Sequence, residues 1–284
     1  MIVTRDDCNW RRGALDATAA SMNGLAPPSI ATFVRYSEPA ADGGYIEKNG
    51  SYSFQMEDHD VVVRNARLAE TSFATHGFAL VEHPIEIDFT DREDFEKNYY
   101  PQVAALVQSL TGADEVLVFL GILRGGEEDL GGGPALSAHV DFNEPALRQW
   151  IERIAPDRAE ELSSKRLINV NVWRGVRPVE NMPLAVCDAR SVEKGDFKRV
   201  ALGKPEDGFK DGMPAGLNMA YNPKHLWYYF PHMQPNEALA FRLFDTADPE
   251  WRMSGHTAIV DPTSKPDSPK RMSFEVRTIA VFDR

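Results

Sequence analysis

From residue 166 to the C-terminus the chain reads as one short strand after another. "RLINVNVWRGV", "PLAVCDA", "HLWYYF", "EALAFRLFD", "HTAIVD" and "RMSFEVRTIAVF" are separated by turns rich in proline, glycine and aspartate. Several short strands with turn signals between them predict a β-sandwich or a jelly-roll barrel. Successive side chains of a strand point to opposite faces. In "RLINVNVWRGV", Ile168, Val170 and Val172 therefore share one face and Asn169, Asn171 and Trp173 the other. In the last strand Arg271, Ser273, Glu275 and Arg277 stand together, opposite Met272, Phe274, Val276 and Thr278. That polar face is either solvated, as in many antiparallel sheets, or lines a polar barrel interior.

Helical patterns fall in the N-terminal half. Residues 91–112 are acidic near the start and closed by Gly112, with Pro101 in a first turn or dividing two short helices. Residues 144–165 place Leu147, Trp150, Ile151 and Ile154 at core-facing spacing, and Pro156 starts a second short helix. "DEVLVFLGIL" between them reads as a buried strand, and "VVV" at 61–63 is a candidate strand. The expected fold is α+β, mainly β, with helices packed outside the barrel. Residues 1–50, with the turn signals "GLAPPS" and "ADGGY", read as an N-terminal extension wrapping a single domain over 51–284.

A net charge of −12 argues against a nucleic-acid backbone or an anionic membrane as the main partner. Two cysteines, Cys8 and Cys187, make no disulfide framework and lack metal-type spacing, which suits a reducing compartment. The opening "MIVTRDDCNWRRG" has no apolar h-region, and no run approaches the ~18 apolar residues of a membrane span. The expectation is a cytoplasmic soluble protein whose partner is a small molecule; a homodimer is compatible with this.

The chemistry begins at "AHVDFN". His139 and Asp141 are two apart, so on an extended segment they aim an imidazole and a carboxylate the same way. A facial triad for non-haem iron needs one more histidine and leaves three coordination positions open. His225, His232 and His256 are the candidates. The first two sit at strand ends beside turns. His256 opens a short strand followed by a turn and then the polar-faced strand, where an arginine can hold a dicarboxylate through bidentate bonds.

H-x-D, a long run of strands, a histidine and then Arg-x-Ser is an order that resembles the Fe(II)/2-oxoglutarate-dependent dioxygenases of the double-stranded β-helix fold. "INVNVWRGVRPVENMPLAVCDARSV", "YNPKHLWYYFPHMQPNEALAFRLFD" and "SGHTAIVDPTSKPDSPKRMSFEVR" are similar to the AsaB-like hydroxylase/desaturase family. That family includes relatives of a cephem 7-methoxylase accessory protein and of gibberellin desaturase-type enzymes. The similarity spans about residues 95–283.

The resemblance implies Fe(II) on His139, Asp141 and His256, with 2-oxoglutarate as co-substrate and dioxygen as oxidant. It places the distal carboxylate of 2-oxoglutarate on Arg271, in the Arg-x-Ser that ends at Ser273. Arg271 follows His256 at a longer spacing than is usual in the superfamily, which keeps Arg277 as a rival anchor. Halogenating relatives replace the metal carboxylate with a small residue, so Asp141 favours hydroxylation, desaturation or oxidative cyclisation of a secondary metabolite. Two other readings compete: a cupin-type metalloenzyme that does not use 2-oxoglutarate, and a non-catalytic accessory subunit of an oxygenase system. The Arg-x-Ser strand favours 2-oxoglutarate, and the intact ligand set favours an enzyme.

Further residues have open roles. Asn169, Asn171 and Trp173 either point into the pocket or simply alternate along their strand. Arg174 and Arg190 are either contacts for an acidic substrate or surface charges. Tyr228 and Tyr229 cannot both face inward, Cys187 reads as a small buried hydrophobe, and "RGGEEDLGGGP" (124–134) is either a lid or a loop without a role.

Overall fold

The computed structural model describes residues 26–38, 44–46, 53–126, 133–204, 206 and 210–283. Most of the proposed N-terminal extension (with Cys8) and the centre of the glycine-rich loop lie outside the described residues. The strands are β1 (Ser29–Ser37), β2 (Gly44–Ile46), β3 (Met56–Asn65), β4 (Phe78–Glu82), β5 (Glu115–Gly125), β6 (His139–Val140) and β7 (Arg166–Gly175). They continue as β8 (Leu184–Cys187), β9 (Phe197–Leu202), β10 (Gly216–Met219), β11 (Trp227–Tyr229), β12 (Glu237–Asp245), β13 (His256–Ala258) and β14 (Met272–Phe282).

Two sheets result. One has the order β4-β12-β7-β14-β5 and is antiparallel throughout. The other runs β1-β3-β11-β8-β13-β6-β10-β9-β2. From β5 to β8 and again from β11 to β14 the chain alternates between the two sheets. That alternation produces the jelly-roll core expected from the sequence, because each short strand buries its inner face against the opposite sheet. β1 pairs along its whole length with β3 and so extends the larger sheet at residues 29–37.

The strand alternation divides the core into two layers. Leu167, Trp173, Leu239, Phe241, Ile279 and Val281 face inward and pack with Val140, Ala185, Val186 and Leu217 of the other sheet. Ile168, Val170, Val172, Phe274, Val276 and Ala280 face outward onto Val103 and Val107 of the helix Tyr100–Thr111. Full burial of each such valine contributes about 1.5–3 kcal/mol. Of the two places expected for Pro101 the first is found: it stands in the first turn of this helix, which follows without a break from a π-helical turn at Phe95–Tyr99. Gly112 ends the helix in the left-handed region at φ 71°.

Two expectations are corrected. "DEVLVFLGIL" is half-buried rather than buried, because β5 is the edge strand of its sheet. In the helix Glu144–Ile154, Leu147 and Ile151 are buried and Trp150 packs on the core, but Ile154 in the last turn is 38% exposed.

That helix matters for the site. Asn143 caps it by accepting from the Ala146 amide, and the same Oδ1 accepts from the Ala215 amide. The Asn143 Nδ2 donates to the Met213 carbonyl. The two residues between β6 and this cap are therefore held from both ends, and one of them is Asp141.

Candidate metal centre

β6 is only two residues long, but its neighbours set its register. His139 lies directly opposite His256 of β13, and on its other side opposite Asn218 of β10. Directly opposed residues of an antiparallel pair project from the same face. The two imidazoles consequently meet, with ring centroids 4.3 Å apart. Asp141, two residues on, turns its carboxylate to the same point: Oδ1 lies 3.8 Å from His139 Nε2. One ligand atom from each of His139, Asp141 and His256 falls within 4.8 Å of the others. Among the described residues this is the single such cluster of three.

The donor set suits a divalent metal. His139 Nδ1 donates to the Ser137 carbonyl at 2.7 Å, which fixes the tautomer and leaves Nε2 as a ligand. His256 is buried and its Nδ1 has no hydrogen-bond partner. Burial, with His139 next to it, pushes His256 well below the ordinary imidazole value, so the ring is neutral as a ligand must be. Burial pushes the Asp141 carboxyl up, but Arg277, the two histidines and the bond from Asn171 outweigh it and bring it down to about 2. Two neutral imidazoles and one carboxylate form the donor set of a facial triad.

The inward face of β14 carries Ser273, Glu275 and Arg277, with Arg271 just before the strand. The polar face seen in the sequence therefore lines the barrel interior. Its two arginines are in different situations. Arg277 donates from Nη2 to Asp141 Oδ1 at 2.5 Å and from Nε to Glu275 Oε1 at 2.8 Å, and it lies 5.1 Å over the Phe142 ring. Arg271 lines the pocket beside His139, His256, Trp173 and Glu275. It donates to the Met182 carbonyl at 2.7 Å, lies 5.3 Å over the Trp173 ring and has no ion pair among the described residues. Burial pushes it down to about 10, so it remains a cation at neutral pH. Ser273 is buried on the same face and stands opposite Arg124 of β5.

Other expected residues separate. Trp173 lines the pocket, whereas Asn171 donates to Asp141 Oδ2 at 2.6 Å and Asn169 to the Thr278 carbonyl at 2.9 Å. His225 is spent on Asp196 at 3.0 Å and Tyr36 at 3.1 Å, and His232 is exposed at φ 53°. Arg174 is buried away from the pocket, on Tyr99 at 2.8 Å and His83 at 2.7 Å, and Arg190 pairs with Asp188. Tyr228 and Tyr229 are both buried in the core, as is Cys187. Arg124 and Glu275 line the pocket without having been assigned a role from sequence. Glu275 was visible as part of the polar face, while an arginine at the head of a glycine-rich loop carries no signal of its own.

Comparisons with known proteins show what the chain is similar to. The family model described as "YDMC: Oxidoreductase/YMDC permease-like domain" matches residues 31–282. No helix among the described residues is long and apolar enough to cross a membrane. The hydroxylase/desaturase efuI of Hormonema carpetanum is 28% identical, over 90% of this chain and 96% of its own. The Fe(II)/2-oxoglutarate-dependent dioxygenase nvfI of Aspergillus novofumigatus is 31% identical, over 82% of this chain and 86% of its own. A solved structure of the iron and alpha-ketoglutarate-dependent endoperoxidase NvfI superposes with a TM-score of 0.80 at 27% identity. The match covers 91% of this chain and 99% of that one.

Proposed function

Because the chain belongs to the Oxidoreductase/YMDC permease-like domain family and, with nvfI, to the Fe(II)/2-oxoglutarate-dependent dioxygenases, we propose that His139, Asp141 and His256 hold its iron and Arg271 its 2-oxoglutarate. The observation that carries this reading is a two-histidine, one-carboxylate cluster, half-buried to buried, sharing a pocket with an arginine that has no ion pair among the described residues. Bound iron, with 2-oxoglutarate and dioxygen, supplies the oxidising power for attack on a substrate C–H bond.

The chain's own residues do the rest. The Ser137 carbonyl holds the His139 tautomer, and burial keeps His256 neutral. Arg271 offers the distal carboxylate of 2-oxoglutarate a charge-assisted fork, with the buried Ser273 on the same face. The Trp173 ring and the Phe241 ring, 4.8 Å from His256, give the site apolar walls that exclude water. Asp141 supports hydroxylation, desaturation or oxidative cyclisation rather than halogenation, and the relatives support a small molecule of secondary metabolism as substrate. The two cysteines, too few for a disulfide framework, support action in the cytoplasm.

Anaerobic addition of Fe(II) and 2-oxoglutarate tests this reading. The wild-type protein is expected to develop the visible metal-to-ligand charge-transfer band, and His256→Ala to lack it while retaining the wild-type far-ultraviolet dichroism. No band with wild type, or an unchanged band in His256→Ala, overturns the assignment.

A further inference from the structure

We propose that Asn171 and Arg277 form a clamp that presents Asp141 to the metal through Oδ1 alone, which makes Arg277 a positioning residue rather than a co-substrate anchor. The proposal rests on the reading of His139, Asp141 and His256 as the metal site.

The geometry comes from strand register. Asn171 of β7 and Arg277 of β14 are direct cross-strand partners, so their side chains leave the same face of the five-stranded sheet side by side. Asp141 arrives from the opposite sheet, between β6 and the helix cap at Asn143. Each of its oxygens meets one donor: Asn171 Nδ2 at Oδ2, 2.6 Å, and Arg277 Nη2 at Oδ1, 2.5 Å. Oδ1 is the oxygen that faces His139 Nε2. Arg277 is itself held, by Glu275 at Nε and by the Phe142 ring beneath its guanidinium.

A carboxylate on a single methylene rotates freely and can bind a metal through one oxygen or two. With Oδ2 engaged by the Asn171 amide, the plane of the group is fixed and the second oxygen is withheld from the ion. One oxygen and two imidazoles would leave a bound six-coordinate ion three further positions, enough for a chelating co-substrate and dioxygen, whereas a bidentate Asp141 would leave too few. Partners that orient a metal ligand typically change metal affinity by about 10- to 100-fold when removed.

Anaerobic titration with Co(II), without 2-oxoglutarate, tests the clamp by dissociation constant and visible d–d spectrum. Asn171→Ala and Arg277→Gln are expected to weaken Co(II) binding by about tenfold or more and to alter the spectrum. Arg277→Lys, which keeps one donor, is expected to recover part of the loss. Arg92→Gln, at an exposed residue paired with Glu96 outside the pocket, is expected to stay within about twofold of wild type. Removing Arg277 alone strands the buried Glu275, so Arg277→Met combined with Glu275→Gln provides a charge-balanced variant with the same expected loss.

Less than about threefold change, or tighter binding, in Asn171→Ala and in the charge-balanced variant overturns the clamp. So does an Arg277→Gln variant that binds Co(II) as tightly as wild type with an unaltered spectrum. A wild-type protein that binds no Co(II) overturns the metal-site reading itself, which separates the two failures.

Discussion

His139 and His256 are direct cross-strand partners, far apart in sequence and one hydrogen-bonded strand spacing apart in the sheet. The pairing of β6 with β13 therefore places two of the three proposed ligands without any loop having to do so. The third proposed ligand, Asp141, is the first residue beyond β6 and is held by the fork of Asn171 and Arg277 from the other sheet. Both sheets thus contribute to one coordination site, so loss of their packing should loosen the metal centre.

Arg271 is the residue whose removal should affect 2-oxoglutarate and not metal. Loss of a charge-assisted fork of about 1.5–3 kcal/mol corresponds to roughly 10- to 100-fold weaker 2-oxoglutarate binding in Arg271→Gln. Titration of the charge-transfer band with 2-oxoglutarate at saturating Fe(II) reads this directly. Unchanged 2-oxoglutarate affinity would move the anchor elsewhere.

Gly125 couples β5 to that anchor. Its φ is 82°, and a β-carbon added there would collide with the Arg271 carbonyl, which also accepts from the Gly126 amide. Gly125→Ala is expected to cost about 1–3 kcal/mol, a fall of about 2–10 °C in Tm, and to weaken 2-oxoglutarate binding as the backbone at Arg271 shifts. A thermal melt beside the same titration checks both; an unchanged Tm counts against the strain.

Stability should fall on mild acidification because of His83. Burial, then the neighbouring Arg174 guanidinium, push His83 below its ordinary value. For a base with a lowered pKa in the fold, the neutral form is the one the fold prefers. Its contribution is fully present above the unfolded value of about 6.5 and is lost as pH falls from there toward the folded value. Thermal melts between pH 7.5 and 5.5 should show a steeper fall in wild type than in His83→Gln. Parallel curves would remove His83 from the account.

Cys187 should be inert in the native protein. Burial, only partly opposed by its contact with Ser191, pushes the thiol up to about 12. The thiolate is then below about one part in a thousand at pH 8, and the side chain is shielded as well. Iodoacetamide labelling followed by peptide mass mapping should modify Cys187 in urea and leave it unmodified without denaturant. Rapid native labelling would contradict the burial.

Much of the barrel was legible because strand alternation has a period of two. "RLINVNVWRGV" and "RMSFEVRTIAVF" each separate an outward apolar face from an inward one, as β7 and β14 do. The solvation of β5 was not legible, because an edge strand and a central strand share the same apolar run. Asn171 looked like a pocket residue for a related reason. Its face follows from alternation, but its partner Asp141 lies on the other sheet.

The sequence by itself determined the donor types, the face each occupies and the family order of H-x-D, His and Arg-x-Ser. Local periodicity and residue chemistry suffice for those. Only the tertiary structure gave Arg271 and Arg277, which share a face and a charge, different partners. Asp141 reaches across the barrel to engage Arg277, whereas Arg271 has no ion pair among the described residues. Which residues meet across two packed sheets depends on strand register and sheet order, and neither is a property of any one segment of the chain.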